Sequence, residues 1–396
     1  MATSAPTIMD KRLNILFTSS WYPNRTNTFA GNFVKRHAEA VAKYCNVTVL
    51  YFQSDSSISK TEIQLFESNN LKEIICYYPK ITSRIPFVFH FKNFRRIVSI
   101  VNKLQSESLI RFDKFDVLHH NVTYPMGTVA AYIKEKYLLP FVLTEHSTKF
   151  LGHPDDKMSF IERLVAKYVF KKVDVLSPVS KNLEQAILND FTIKKSVVVK
   201  NVVDANMFSA HNKKPSSITT FLHVSTLQNQ QKNVFGLIEA FSLLSKNRED
   251  FVLKIIGDGD SSELMAAIKK YSLPKECFEF LGAQPITKVA EAMRQSDALV
   301  LFSNFENLPC VISEAHMVGL PVISTNVGGI SEMVDEINGV LLEAKNVKQL
   351  THSLEEFLEN KYTFSSSEIR SKAIEDYSYP SVAQKFLEIY KLVSKR

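Results

Sequence analysis

Residues Asp297–Ser324 read DALVLFSNFENLPCVISEAHMVGLPVIS. The run Ala298–Phe302 is apolar at every position, as a strand covered on both faces must be. Val311–Val318 is long enough and suitably spaced for a helix, and Pro321–Ser324 begins a second short apolar run. A strand, a turn, a helix and another strand within so few residues is a parallel β-α-β unit.

The same alternation extends in both directions. Toward the N-terminus the expected strands are Leu13–Ser19, Val47–Phe52, Asp116–Asn121, Phe141–Thr144, Asp174–Ser177 and Val197–Val199, with a helix at about Asn32–Lys43. After the polar stretch His211–Thr220, which has linker composition, strands are expected at Phe221–Val224, Phe251–Ile256, Phe278–Leu281 and Val340–Leu342 as well as in the quoted unit. Helices near Val234–Ser245, Ser262–Tyr271, Thr287–Gln295 and Val347–Asn360 separate them. The expected fold is α/β, with two doubly wound, Rossmann-like domains, 1–210 and 211–396, facing a central cleft. Two final helices, Ser366–Asp376 and Ser381–Val393, can pack on either domain.

A chain of 396 residues is long enough for two such cores. Residues 1–200 hold 28 Lys and Arg against 17 Asp and Glu, while residues 201–396 hold 20 against 24, so the net +7 is a basic first half and a slightly acidic second. Cys45, Cys76, Cys277 and Cys310 are isolated and form no CxxC pair, which suits a reducing compartment. No apolar run reaches membrane-spanning length and MATSAPTIMDKRLN has no signal-like core, so a cytoplasmic protein is expected, with peripheral contact at the inner membrane face the most it would make.

Glu306 falls in the turn after the strand Ala298–Phe302, and Glu314 in the first turns of the following helix. Between them Leu308, Pro309, Cys310 and Val311 form a helix N-terminus, whose free N–H groups and dipole favour phosphate. Carboxylates beside an anion site are explained by sugar hydroxyls, because each can accept from a vicinal pair. A nucleotide sugar carries hydroxyls on both sides of its diphosphate.

With Gly319-Leu-Pro321 and Gly328-Gly329-x-x-Glu332 following, this segment resembles the donor signature of the GT-B glycosyltransferases of family 4, a retaining, nucleotide-sugar-dependent family. The resemblance extends through Ser19–Ala42, Val142–Phe150, Val197–Phe208, His223–Phe241, Ile255–Asp260 and Phe280–Pro285, and its style is that of bacterial surface-polysaccharide enzymes. It implies that Glu314 holds the ribose and Glu306 the transferred sugar. Lys232 would neutralise the diphosphate, where a cation stabilises leaving-group charge, and His146 would stand at the reacting sugar. Gly257 would lie in a nucleotide-facing turn, and Gly31 and Asn32 in the loop approaching phosphate and acceptor. One position departs from the family: Thr226 stands six residues before Lys232, where an arginine is common.

No cofactor is expected beyond the nucleotide sugar as co-substrate, and no metal: Asp258-Gly-Asp260 reads as a turn, and His119-His120 has no third ligand at metal spacing. The segment Ile85–Leu104, IPFVFHFKNFRRIVSIVNKL, joins an aromatic run to a helix with Lys92, Arg95, Arg96 and Lys103 off its apolar stripe. It is the candidate for contact with an anionic membrane and hence for a saccharide or lipid-linked saccharide acceptor. No nucleic-acid motif is present. A nicotinamide-dependent oxidoreductase is disfavoured because SSWYPNRTNTFAGN lacks G-x-G-x-x-G. A sugar-nucleotide epimerase, a phosphorylase and a non-catalytic sugar-binding protein stay open as alternatives on the same fold.

Overall fold

The computed structural model describes residues 12–210 and 213–394. The first sheet contains β1 (Asn14–Ser19), β2 (Asn46–Asp55), β3 (Glu62–Ser68), β4 (Leu71–Pro79), β5 (Val117–Asn121), β6 (Phe141–Glu145) and β7 (Val175–Pro178), in the order β3-β4-β2-β1-β5-β6-β7. The second contains β8 (Thr219–Ser225), β9 (Phe251–Gly257), β10 (Phe278–Phe280), β11 (Ala298–Leu301), β12 (Val322–Thr325) and β13 (Gly339–Leu342), in the order β10-β9-β8-β11-β12-β13. Every pairing is parallel except β3 with β4. In both sheets the order reverses beside the first strand, between β1 and β5 and between β8 and β11. Side chains just beyond those strand ends line the ligand crevice of a doubly wound sheet.

Two expectations are corrected. Val197–Val199 is not a strand: Val197 and Val199 donate to the carbonyls of Leu176 and Pro178, but only one isolated bridge, Leu176 to Ser196, forms at that edge. The hairpin β3–β4 was not anticipated. β3 lies largely exposed and so has no buried face to print an apolar pattern, while Glu73 interrupts the apolar run of β4. That carboxylate is buried and accepts from the Tyr22 hydroxyl at 2.6 Å, with Lys35 beside it at 3.2 Å.

The last two helices divide between the halves. Ser366–Tyr377 stays with the second, where Gly319 (φ 86°) ends the helix Cys310–Val318 so close to it that a Cβ would stand 2.5 Å from the carbonyl oxygen of Ser366. Tyr379–Ser394 returns to the first half, burying Val382, Phe386, Ile389 and Tyr390 against Ile15, Phe17 and Val34. Its Tyr390 hydroxyl lies 2.6 Å from Nδ1 of His119, and Phe386 packs on the rings of His37, His119 and Tyr390. Phe386→Ala should therefore cost about 3–5 kcal/mol, read as a lowered urea midpoint. An unchanged midpoint would show that this helix is dispensable to the first core.

Candidate active site

A cavity of about 840 Å³ opens between the two sheets, walled by the ends of and the segments that follow β1, β8, β9, β10 and β11. The first half contributes Thr28, Phe29 and Asn32, and the second contributes Lys232, Glu306 and Glu314 among others. Gly31 does not line the cavity; it is the left-handed residue (φ 63°) opening the helix Asn32–Ala42, and a Cβ there would lie 2.4 Å from the backbone of Trp21. Only glycine lets the loop lie so close to its own strand end.

Glu306 is buried within the turn after β11. Its Oε1 accepts from Ser303 Oγ at 2.8 Å and lies 2.5 Å from Lys232 Nζ. Lys232 ends the short helix Asn229–Lys232, and Asn233 then turns left-handed (φ 50°) to cap the helix Val234–Leu244 through its side chain. Two helices meeting at one tight residue thus aim the lysine into the cavity. Gly328 (φ 56°) fixes the other side of the turn, since a Cβ there would fall 1.8 Å from the Glu306 carbonyl oxygen.

The helix beyond it starts at Cys310 with Pro309 as its cap. Pro309 has no N–H, so the donors facing the cavity are those of Cys310 and Val311; the N–H of Ile312 is spent on the Pro309 carbonyl at 3.1 Å. Leu308 is outside the wall, contrary to expectation: its side chain is buried in the core and its carbonyl accepts from Asn201 Nδ2 at 3.1 Å. Burial, with the Glu314 charge adding, pushes the Cys310 thiol up to about 12, so it is no nucleophile.

Glu314 has a partner the sequence did not announce. Arg36, from the helix Asn32–Ala42 of the first half, places Nη1 2.5 Å from Glu314 Oε1, both side chains being nearly buried. Burial opposes the guanidinium charge, but Glu314 outweighs it and holds the group charged. Thr226 and Gly257 also line the cavity. Gly259 is pressed so close to Thr226 that a Cβ would lie 1.7 Å from its carbonyl oxygen. Asp260 accepts from the N–H and hydroxyl of Ser262, both at 2.9 Å, and so serves the start of the helix Ser262–Tyr271.

His146 lies just behind the cavity and not in its wall. Its ring lies between those of Phe33 and His37, with centroids at 4.4 and 5.6 Å. Its carbonyl accepts from Asn307 Nδ2 at 2.9 Å, while Asn307 Oδ1 accepts from Ser180 Oγ at 2.9 Å. The neighbouring Glu145 is wholly buried and accepts from the N–H groups of Thr123, His146 and Ser147 at 2.8–2.9 Å. Glu332 crosses between the halves as well, accepting from the N–H groups of Lys181 and Asn182 at 2.8 and 2.7 Å, at the N-terminus of the helix Lys181–Asp190. His119 and His120 are structural: His119 bonds Tyr390 and Thr144, and His120 Nδ1 lies 2.8 Å from Thr18 Oγ1.

Comparison with known proteins places this geometry. Residues 30–206 match the family described as Glycosyltransferase Family 4, and residues 205–376 match Glycosyl transferases group 1. An uncharacterized glycosyltransferase of Methanocaldococcus jannaschii is 29% identical over 300 residues, covering 75% of this chain and 78% of its own. A putative teichuronic acid biosynthesis glycosyltransferase of Bacillus subtilis is 25% identical over 272 residues, 66% of this chain and 65% of its own. Among solved structures, sucrose-phosphate synthase from Thermosynechococcus elongatus superposes with a TM-score of 0.74 at 15% identity, over 96% of this chain and 99% of its own. HepE of Anabaena, in complex with UDP and glucose, does so with 0.71 at 17% identity, over 96% and 100%.

The buried histidines around the cleft give a pH dependence. Burial holds His37, His223 and His316 down to about 4 and His120 to about 3, and it also carries His119 and His146 well below the usual imidazole range. The unfolded chain takes up protons from about pH 6.5 downward that the folded chain refuses until about pH 4, so stability is fully present above about 6.5 and is lost through that window. Urea midpoints should fall as the pH drops from about 7 to about 5; a flat profile would mean these imidazoles find partners when charged.

Proposed function

We propose that this chain, which belongs to the GT-B glycosyltransferases of family 4, transfers a sugar with retention from a nucleotide-diphosphate sugar to a hydroxyl of a saccharide or lipid-linked saccharide, in cell-surface polysaccharide synthesis. The observation that carries the donor half is one cavity in which Glu306, Lys232, the N–H groups of Cys310 and Val311, and Glu314 follow one another. Glu314 takes the ribose hydroxyls, the helix N-terminus and Lys232 take the diphosphate, and Glu306 takes the sugar. As the glycosidic bond breaks, positive charge grows on the sugar ring and negative charge on the departing phosphate. Lys232 stabilises the latter. The acceptor oxygen attacks from the face the phosphate leaves, and the phosphate receives its proton, so no side chain acts as general base. His146 is neutral and orients the region of the reacting sugar through its backbone and its packing.

A chain of spaces in the first half supports the acceptor half. Trp21, Glu145, Ser147 and Thr148 line a pocket of about 350 Å³, and Tyr124 and Pro125 form the wall it has in common with an apolar groove of about 640 Å³. That groove runs between the helices Pro86–Ser106, Gly127–Tyr137 and Phe160–Phe170, where Phe87 is 74% and Phe160 77% exposed. Leu164 and Tyr168 continue the exposed stripe of Phe160, and Arg95, Arg96, Arg163 and Lys167 are exposed on the same two helices as Phe87 and Phe160. Exposed aromatics and basic side chains on shared helices suit an anionic membrane carrying the acceptor. Among the described residues no helix is long and apolar enough to cross a membrane, so contact would be peripheral, at the cytoplasmic face.

Glu306→Ala should lower turnover at least on the order of 100-fold in protein that still folds; wild-type kinetics would remove Glu306 from the mechanism. Thermal-shift screening with UDP-, GDP- and ADP-sugars identifies the donor, and product analysis separates transfer from epimerisation or phosphorolysis. Because Asp260 is committed to its helix start, turnover should persist in chelator, and its abolition would sink the metal-independent reading. Charge reversal at Arg95 and Arg96 should abolish binding to anionic vesicles; wild-type protein that ignores such vesicles would count against the membrane reading.

A further inference from the structure

The two buried carboxylates of the cavity, Glu306 and Glu314, are each paired with a cation, and the two cations come from different halves of the protein. Lys232 holds Glu306 from the same half, and Arg36 holds Glu314 from the opposite one, both at 2.5 Å. Among the side chains that line the cavity only Lys232 is cationic, and Thr226 stands where a second cation is common in the family. Arg36 is not itself a lining residue, but the Glu314 carboxylate it touches is. It emerges one helical turn after Asn32, which lines the cavity. Its Cζ lies 5.7 Å from the ring centroid of Phe208.

We propose that Arg36 is the missing second cation of the donor site, parked on the ribose-binding glutamate until donor arrives. This inference rests on the donor reading given above. In the structure the two glutamates are paired with the two cations, while Asp258 stands exposed at the wall. A nucleoside diphosphate brings hydroxyls that need carboxylates and phosphates that need cations, so on binding each pair exchanges partners: Glu314 passes from guanidinium to ribose, and Arg36 from carboxylate to phosphate. After the exchange both cations face the diphosphate and Glu314 accepts hydrogen bonds from the ribose hydroxyls, so no buried polar group is left without a partner. Arginine suits the second role, since its planar fork can donate twice to one phosphate. The arrangement makes the donor site incomplete unless both halves are in place.

A competing role is a plain latch, in which Arg36 only blocks Glu314. The two roles predict opposite signs. Isothermal titration of Arg36→Ala with UDP, GDP and ADP should show affinity lowered on the order of 10- to 100-fold for the nucleotide the wild type binds. Affinity for the corresponding nucleoside, which has ribose but no phosphate, should be unchanged or raised. A latch would instead raise affinity for both. The double variant Arg36→Ala/Thr226→Arg restores a cation from within the second half without restoring the ion pair, and should recover nucleoside diphosphate affinity; it also guards against misreading a folding defect. Unchanged or tighter diphosphate binding by Arg36→Ala, or failure of the folded double variant to recover it, overturns the proposal. A wild-type chain that binds none of the three diphosphates overturns the donor reading and this inference together.

Discussion

The cleft depends on two stretches of backbone lying in contact, the turn after β11 and the turn after β12. Gly328 sits against the Glu306 carbonyl at a distance that no side chain survives, and the Gly329 N–H donates to the Asn307 carbonyl at 2.8 Å. That contact orders three consecutive residues for three different tasks. Glu306 faces Lys232, Asn307 reaches His146 and Ser180 of the other half, and Leu308 turns inward to offer its carbonyl to Asn201. The donor pocket and the approach of the two halves are thereby set by one constraint.

Much of this was legible in the sequence because it is local. Strand, turn and helix follow each other within the segment that holds Glu306 and Glu314, and period and composition suffice to place both on one strand end. Most of the parallel strands were equally visible as short apolar-rich runs, whereas β3 was missed because it has no buried face and β4 because Glu73 interrupts its run. What stayed hidden lies between residues far apart in the chain. Arg36 and Glu314 are 278 positions apart, and Asn307 and the His146 carbonyl 161. No local pattern marks such pairs. Arg36 falls between the apolar positions of its helix and reads as an ordinary solvated charge. Leu308 was misplaced for the converse reason: its position beside Glu306 suggested the pocket, yet an apolar side chain at a turn goes to the core when the core is in reach.

The Gly328-Gly329-x-x-Glu332 stretch illustrates how one motif can serve two ends. Its glycines act on the backbone of the adjacent turn, and its glutamate reaches out to the first turn of the helix Lys181–Asp190. A carboxylate there replaces two of the solvent contacts that free helix donors would otherwise need. The sign of the overall charge is no guide to local electrostatics: the half with more acidic residues also holds a helix start that, with Lys232, borders the cavity.

The return of the helix Tyr379–Ser394 to the first half has a mechanical meaning. The polypeptide passes between the halves twice, near Val203 and again near Ser378, and the two passages are bonded to each other, Val203 donating to the Tyr377 carbonyl at 2.8 Å. Two bodies joined by a single strand of chain can swivel freely, but joined by two adjacent strands they can only fold about the line through them. The geometry therefore makes the pair a book with one spine, and the residues that face each other across its pages, Arg36 and Glu314, Asn307 and His146, are held in register by it.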